Sequence, residues 1–233
     1  MNTRRKFIIN SSLTAVALVA TNPFKALAGS SGFFQTSTGR NYIVLMHTAG
    51  LHKYKHQATL GFIHNIQSKT SNTLMIDAAD NSTGIETKDY QVIRKGGVNT
   101  GIIYATTYET GLAERLNNLA AYLKKEKNCQ VVVCISQLGY KNKNKIDDCQ
   151  LAAASANTDI IIGIHTDNFT KHPMVLHDSN GHEIILQSAS ATDAGFGKIE
   201  IGFDSKGRKN HIHILNTVPE KHQQQQEGCI VAA

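Results

Sequence analysis

Short runs of apolar residues alternate along the chain with stretches in which apolar positions recur at helical spacing. The densest run lies within Thr158 to Asp167. There Ile160, Ile161, Ile162 and, past Gly163, Ile164 describe a strand buried on both faces, as inside an α/β sheet. His165 sits just beyond its carboxyl end, the edge at which helix-covered sheets place their ligands. Asn41 to Met46, Thr73 to Asp77 and Gln130 to Ile135 read as further strands, and a helix is expected over Gln57 to Gln67. Tyr90 to Arg94 and Asn99 to Tyr104 flank Lys95-Gly96-Gly97-Val98, where the glycine pair suits a hairpin. Leu112, Leu116, Leu119 and Leu123 make a core stripe on a helix spanning Thr110 to Lys127, with Lys124, Lys125 and Lys127 in its last turn. A second helix is expected from Ile146 to Ala154. This succession implies crossover units and a largely parallel sheet. Beyond Phe169, Met174 to His177, Glu183 to Gln187, Lys198 to Phe203 and His211 to Asn216 read as short strands. Asn180-Gly181, Ala194-Gly195 and Lys206-Gly207 separate them, which suits antiparallel hairpins. Alternation puts His211 and His213 on one face, read as wet, and Ile212 and Ile214 on the other.

Composition bounds the picture without redirecting it. At 233 residues, 41% hydrophobic and 18% charged, the chain suits one sizeable globular domain or two small ones. Its net charge of +6 is concentrated at the start: Arg4, Arg5, Lys6 and Lys25 lie before residue 29 in a stretch without an acid, leaving 20 basic against 18 acidic groups in the remainder. A nucleic-acid partner is not implied. Those early cations, the apolar stretch Phe7 to Ala20 and Ala26-Leu27-Ala28 form an export signal with cleavage expected after Ala28. Thr3-Arg4-Arg5-Lys6-Phe7-Ile8 resembles a twin-arginine signal, so the mature protein is expected to be soluble, with no membrane span, and periplasmic or extracellular in a bacterium. A linker over 29–40, a domain over 41–217 and a loose tail over 218–233 complete the expected organisation.

Cys129, Cys134, Cys149 and Cys229 allow three pairings if all are bridged, although Cys134 reads as a small buried thiol within its strand. No Cys-x-x-Cys pair points to a thiolate metal site. Nucleophile elbow, phosphate-cradling Gly-Lys-Ser/Thr loop and dinucleotide fingerprint are all missing, and no neighbouring His or Asp in sequence turns Ser136 into a nucleophile. His56 and His64 read as solvated helix positions.

Four segments that follow strands instead share a pattern: His47-Thr48-Ala49-Gly50-Leu51-His52, Asp77-Ala78-Ala79-Asp80, Ser136-Gln137-Leu138-Gly139 and Gly163-Ile164-His165-Thr166-Asp167. In order and setting they are similar to the metal-binding loops of the calcineurin-like metallophosphatases, specifically the catalytic domain of secreted bacterial 5′-nucleotidases. That family's loops read His-Thr-Asn-Asp-Leu-His, Asp-Ala-Gly-Asp, Ser-His-Leu-Gly and Gly-Gly-His-Ser-His. The resemblance covers residues 41–217 and implies a four-layer α/β/β/α sandwich with mixed sheets. It also implies two divalent cations that clamp a phosphate, activate water and stabilise an in-line displacement.

Several positions depart from the family pattern. Gly50 replaces the first-loop aspartate, Gln137 a ligand histidine and Asp167 the last histidine. The family's Gly-Asn-His-Glu segment, with its strand and helix, has only Asn81 to Asp89 in which to fit. The resemblance leaves His52, Asp80, His165 and Asp167 as metal ligands, for Mn, Zn, Mg or Ca, and a phosphorylated small molecule or nucleotide as ligand. It implies either an exported relative whose hydrolytic activity is lost or weak, or a residual metallophosphoesterase on a reduced site.

Overall fold

The computed structural model describes residues 42–48, 72–78, 89–140, 146–165, 173–190 and 196–217, with the backbone alone at 165, 190, 196 and 215–217. In chain order the elements are β1 (Tyr42–Thr48), β2 (Thr73–Asp77), β3 (Tyr90–Lys95), β4 (Val98–Ala105), α1 (Leu112–Lys125), β5 (Val131–Ser136), α2 (Asp148–Ala154), β6 (Ile160–His165), β7 (Met174–His177), β8 (Glu183–Ser190), β9 (Phe196–Phe203) and β10 (Lys209–Thr217). They form two mixed sheets: four strands in the order β10-β9-β1-β2, and six in the order β3-β4-β5-β6-β8-β7.

The six-stranded sheet has a parallel centre, β4 to β5 to β6 to β8, with antiparallel strands β3 and β7 on its edges. Its inner strands are built from the continuous apolar runs. Val131, Val132, Val133, Ile160, Ile161 and Ile162 are all fully buried, one alternate set facing each side. Both described helices cover one side of this sheet. Leu112, Leu116, Ala120 and Leu123 of α1, with Leu151 and Ala152 of α2, pack against Ile103, Val132, Cys134 and Ile161. The other side faces the four-stranded sheet, where Ile43, Leu45, Leu74, Ile76, Ile199 and Ile201 close on Val131, Val133, Ile135, Ile160, Ile162 and Ile185. The layers described are therefore helix, sheet and sheet. The helix expected over Gln57 to Gln67 lies outside the described residues.

Local chemistry sets the element ends. Gly96 and Gly97 turn β3 into β4 with φ of 55° and 80°, the two positive values a tight two-residue hairpin requires. Asp147 caps α2: its carboxylate accepts from the Gln150 N–H at 2.8 Å while the Gln150 side chain accepts from the Asp147 N–H. β1 runs two residues past Met46, because Thr48 still pairs with Asp77 of β2 and its carbonyl accepts from Ala78 N–H.

One expectation fails in the second half of the chain. β7 with β8 and β9 with β10 are hairpins as read, but β8 and β9 do not pair. β8 joins β6 in parallel and β9 crosses to pair with β1 in the other sheet. Alternation identifies a strand and its faces, whereas its partner depends on which neighbour can cover those faces.

The histidine face of β10 is partly wet, as expected, but its continuation on β9 is not. Ile212 and Ile214 do turn to the core, and His211 keeps 44% of its side chain exposed. On β9, however, the same face carries Lys198 and Glu200, only 2% and 3% exposed and 3.5 Å apart. Burial lowers the Lys198 pKa, and the Glu200 carboxylate opposes that drop.

Candidate functional site

Four strands whose following loops hold the candidate donors end together. β1 and β2 run parallel in register, with His47 beside Ile76 and Thr48 beside Asp77. β5 and β6 run parallel in the other sheet, with Ser136 beside Gly163. The two edges meet because His47, next to last in β1, lies against Gln187 in the second half of β8, and β8 is parallel to β6, while Lys209 at the start of β10 meets Asp159 just before β6. Chain directions and these contacts bring the carboxyl ends of β1, β2, β5 and β6 to one edge.

Of the sequence-predicted ligands, His165 ends β6, its backbone opposite Ser190 of β8. His52, Asp80 and Asp167 lie outside the described residues. Among the described residues no group of three or more His, Cys, Asp or Glu side chains gathers as a metal site would require. Gln137, in the place of a ligand histidine, is exposed just past β5, and its N–H donates to the Ala105 carbonyl at 2.9 Å. A neutral amide there is a weak donor for a divalent cation.

Ser136 has an acidic neighbour after all. Its hydroxyl donates to Asp148, at the start of α2, and accepts from Leu138 N–H at 3.2 Å. Both side chains are fully buried, so the contact ties the end of β5 to α2 rather than presenting a nucleophile to solvent. Cys129 and Cys134 are free thiols, and burial pushes the Cys134 thiol upward, away from reactivity. Cys229 lies outside the described residues.

The polar group that sequence reasoning passed over is His47. It stands in the first strand-end motif at a position that the resemblance does not make a ligand, yet it continues the inward face of Ile43 and Leu45 and is 1% exposed. Its cross-strand partner is Gly197, and a Cβ at that glycine would lie 2.0 Å from His47 Nε2 and 2.8 Å from the Gln187 amide nitrogen. Glycine inside β9 is thus the condition for the ring to fit, and a glycine within a strand was the signal available in sequence. Burial lowers the imidazole pKa from 6.5 to about 4, with the Gln187 contact offsetting part of the drop. At neutral pH the ring is uncharged.

No protein-family model and no curated protein sequence matches the chain. Solved structures do. A 5′-nucleotidase precursor from Thermus thermophilus aligns over 76% of this chain and 54% of its own at 15% identity, with a TM-score of 0.50. The NAD nucleotidase of Haemophilus influenzae aligns over 76% of this chain and 50% of its own at 11% identity, with a TM-score of 0.57. The chain therefore spans about half the length of these two proteins. Two facing mixed sheets, with helices packed outside the larger one, are the architecture they share with it. The fold of this chain is that of these two nucleotidase structures, in line with the sandwich its strand-end motifs led one to expect.

Proposed function

We propose that the chain is an exported metallophosphatase-like protein that binds a phosphorylated small molecule or nucleotide at the common strand edge and has lost most or all hydrolytic power. One observation carries this reading. The contact of His47 with Gln187 aligns the carboxyl ends of both sheets, so the segments bearing His52, Asp80, His165 and Asp167 all leave from one edge. That both structural neighbours are nucleotidases supports a nucleotide-like ligand, and Arg4, Arg5, Lys6 and Ala26 to Ala28 support export. No described helix is long and apolar enough to cross a membrane.

The donors do not fit a two-cation centre. Gly50 has no side chain and Gln137 offers a neutral amide, where the resemblance calls for an aspartate and a histidine. Two carboxylates and two imidazoles suffice for a single hard or borderline cation, and no hydrolytic step is assigned to it. A reduced site of this kind is also what the second reading, a residual metallophosphoesterase, would use.

Elemental analysis of the full chain, dialysed against Mn²⁺ or Zn²⁺ beside His165→Ala, separates these readings. One ion per chain or fewer is expected, with nucleotide and aryl phosphates left unhydrolysed. One ion lost in the variant, together with weak phosphatase activity, would support the residual enzyme. About two ions, lost in the variant and accompanied by rapid turnover, would overturn the proposal.

A further inference from the structure

The polar trio beneath the candidate edge aligns the two sheets there but is not among the candidate donors of the function just proposed. We propose that His47, Gln187 and Gly197 form an acid-released latch: the uncharged ring, lodged where Gly197 leaves space and against the amide of the facing sheet, holds the sheets together, and its protonation loosens them.

The geometry leaves little freedom. A Cβ on residue 197 would stand 2.0 Å from Nε2 and 2.3 Å from Cε1 of His47, so the ring occupies the volume a side chain would need. Neither ring nitrogen makes a well-aligned hydrogen bond. An imidazolium carries two N–H donors and a charge, and both need compensation when buried. Among the described residues the surroundings supply a neutral amide and hydrocarbon. Ile43 and Leu45 share the ring's face on β1, Leu74 and Ile76 on β2, Ile185 and Ala189 on β8, and Ile199 on β9. The charged groups of these elements lie elsewhere. Lys198 and Glu200 occupy the opposite face of β9, Asp77 pairs beside Thr48 on the opposite face of β2, and Glu183 stands at the far end of β8. Tyr104, the half-buried phenol on the inner side of the larger sheet, is three strands from β8, and its raised pKa keeps it neutral throughout the acid range. Among the described residues no carboxylate faces the ring.

The direction of the effect follows from which state holds the proton. Burial lowers the His47 pKa from 6.5 to about 4, so between these values the unfolded chain binds a proton that the folded chain refuses. The latch is complete above pH 6.5 and is lost as pH falls toward 4.

Urea unfolding of the full chain between pH 7.5 and 4, beside His47→Gln, tests this. The unfolding constant of the wild type is expected to rise relative to the variant by about tenfold per pH unit below 6.5, reaching two to three orders of magnitude. Parallel pH profiles would overturn the proposal. Should the variant fail to fold, hydrogen exchange at the His47 imidazole C2 position, followed by mass spectrometry in the wild type, reads its pKa directly. A midpoint near 4 supports the latch, and one near 6.5 sinks it.

Discussion

The residue that decides most at the candidate edge is a glycine. Gly197→Ala adds one methyl group where the His47 ring already sits, and the ring, wedged between two sheets, has no exposed direction in which to retreat. Destabilisation of about 1–3 kcal/mol is expected, read as a lower urea midpoint at unchanged slope. A cost below the scatter of ordinary surface substitutions would mean that the sheets part readily here. His47 and Gly197 also show where sequence reading stops at this scale. Burial of His47 was foreseeable from its parity with Ile43 and Leu45, since alternate residues of a strand share a face. Its company was not, because Gln187 and Gly197 reach it from strands whose pairing the local pattern does not encode.

Among the described elements, α2 is the shorter of the two helices and depends most on its cap. Seven residues are too few to hold a helix by propensity alone, and Asp147 with Gln150 supplies reciprocal hydrogen bonds at its first turn. Asp147→Ala is expected to cost about 1 kcal/mol, measured by thermal or urea unfolding. Because Ser136 is anchored to Asp148 in the same turn, the variant should also raise amide exchange at Leu138, whose N–H donates to the Ser136 hydroxyl. Most elements were legible. The isoleucine run of β6, the leucine stripe of α1 and the double glycine before β4 each carry their own period or turn chemistry. The separation of β8 from β9 was not. Both satisfy a local alternation, and only the demand for cover on two faces sends one to each sheet. The candidate ligands rest on residue type and motif order, and three of the four lie outside the described residues, whereas an imidazole inside the sandwich looks the same in sequence as one at its rim.

Across the whole molecule, the two sheets are tied at the end opposite the candidate edge by Asp159, just before β6. Its carboxylate accepts from Lys124 of α1 at 2.6 Å, from the Val132 N–H at 2.7 Å and from Lys209, which begins β10 in the other sheet. Helix, larger sheet and smaller sheet thus meet on one side chain, 11% exposed. Asp159→Asn keeps the shape and removes the charge, and is expected to cost about 1–3 kcal/mol through two weakened charge-assisted bonds. Chemical denaturation in urea, which leaves ionic interactions unscreened, is the measurement that checks it, and a loss under half that range would show the lysines to be solvated surface groups. The two ends of the sandwich are then fastened by different chemistry. An ionic tie with partly exposed lysines weakens as added salt screens it, while a buried neutral imidazole is indifferent to salt and answers only to protons. Ionic strength and acidity therefore act as independent handles on opposite ends of one molecule, opening it like a book from the spine or from the fore-edge according to which solvent variable is changed.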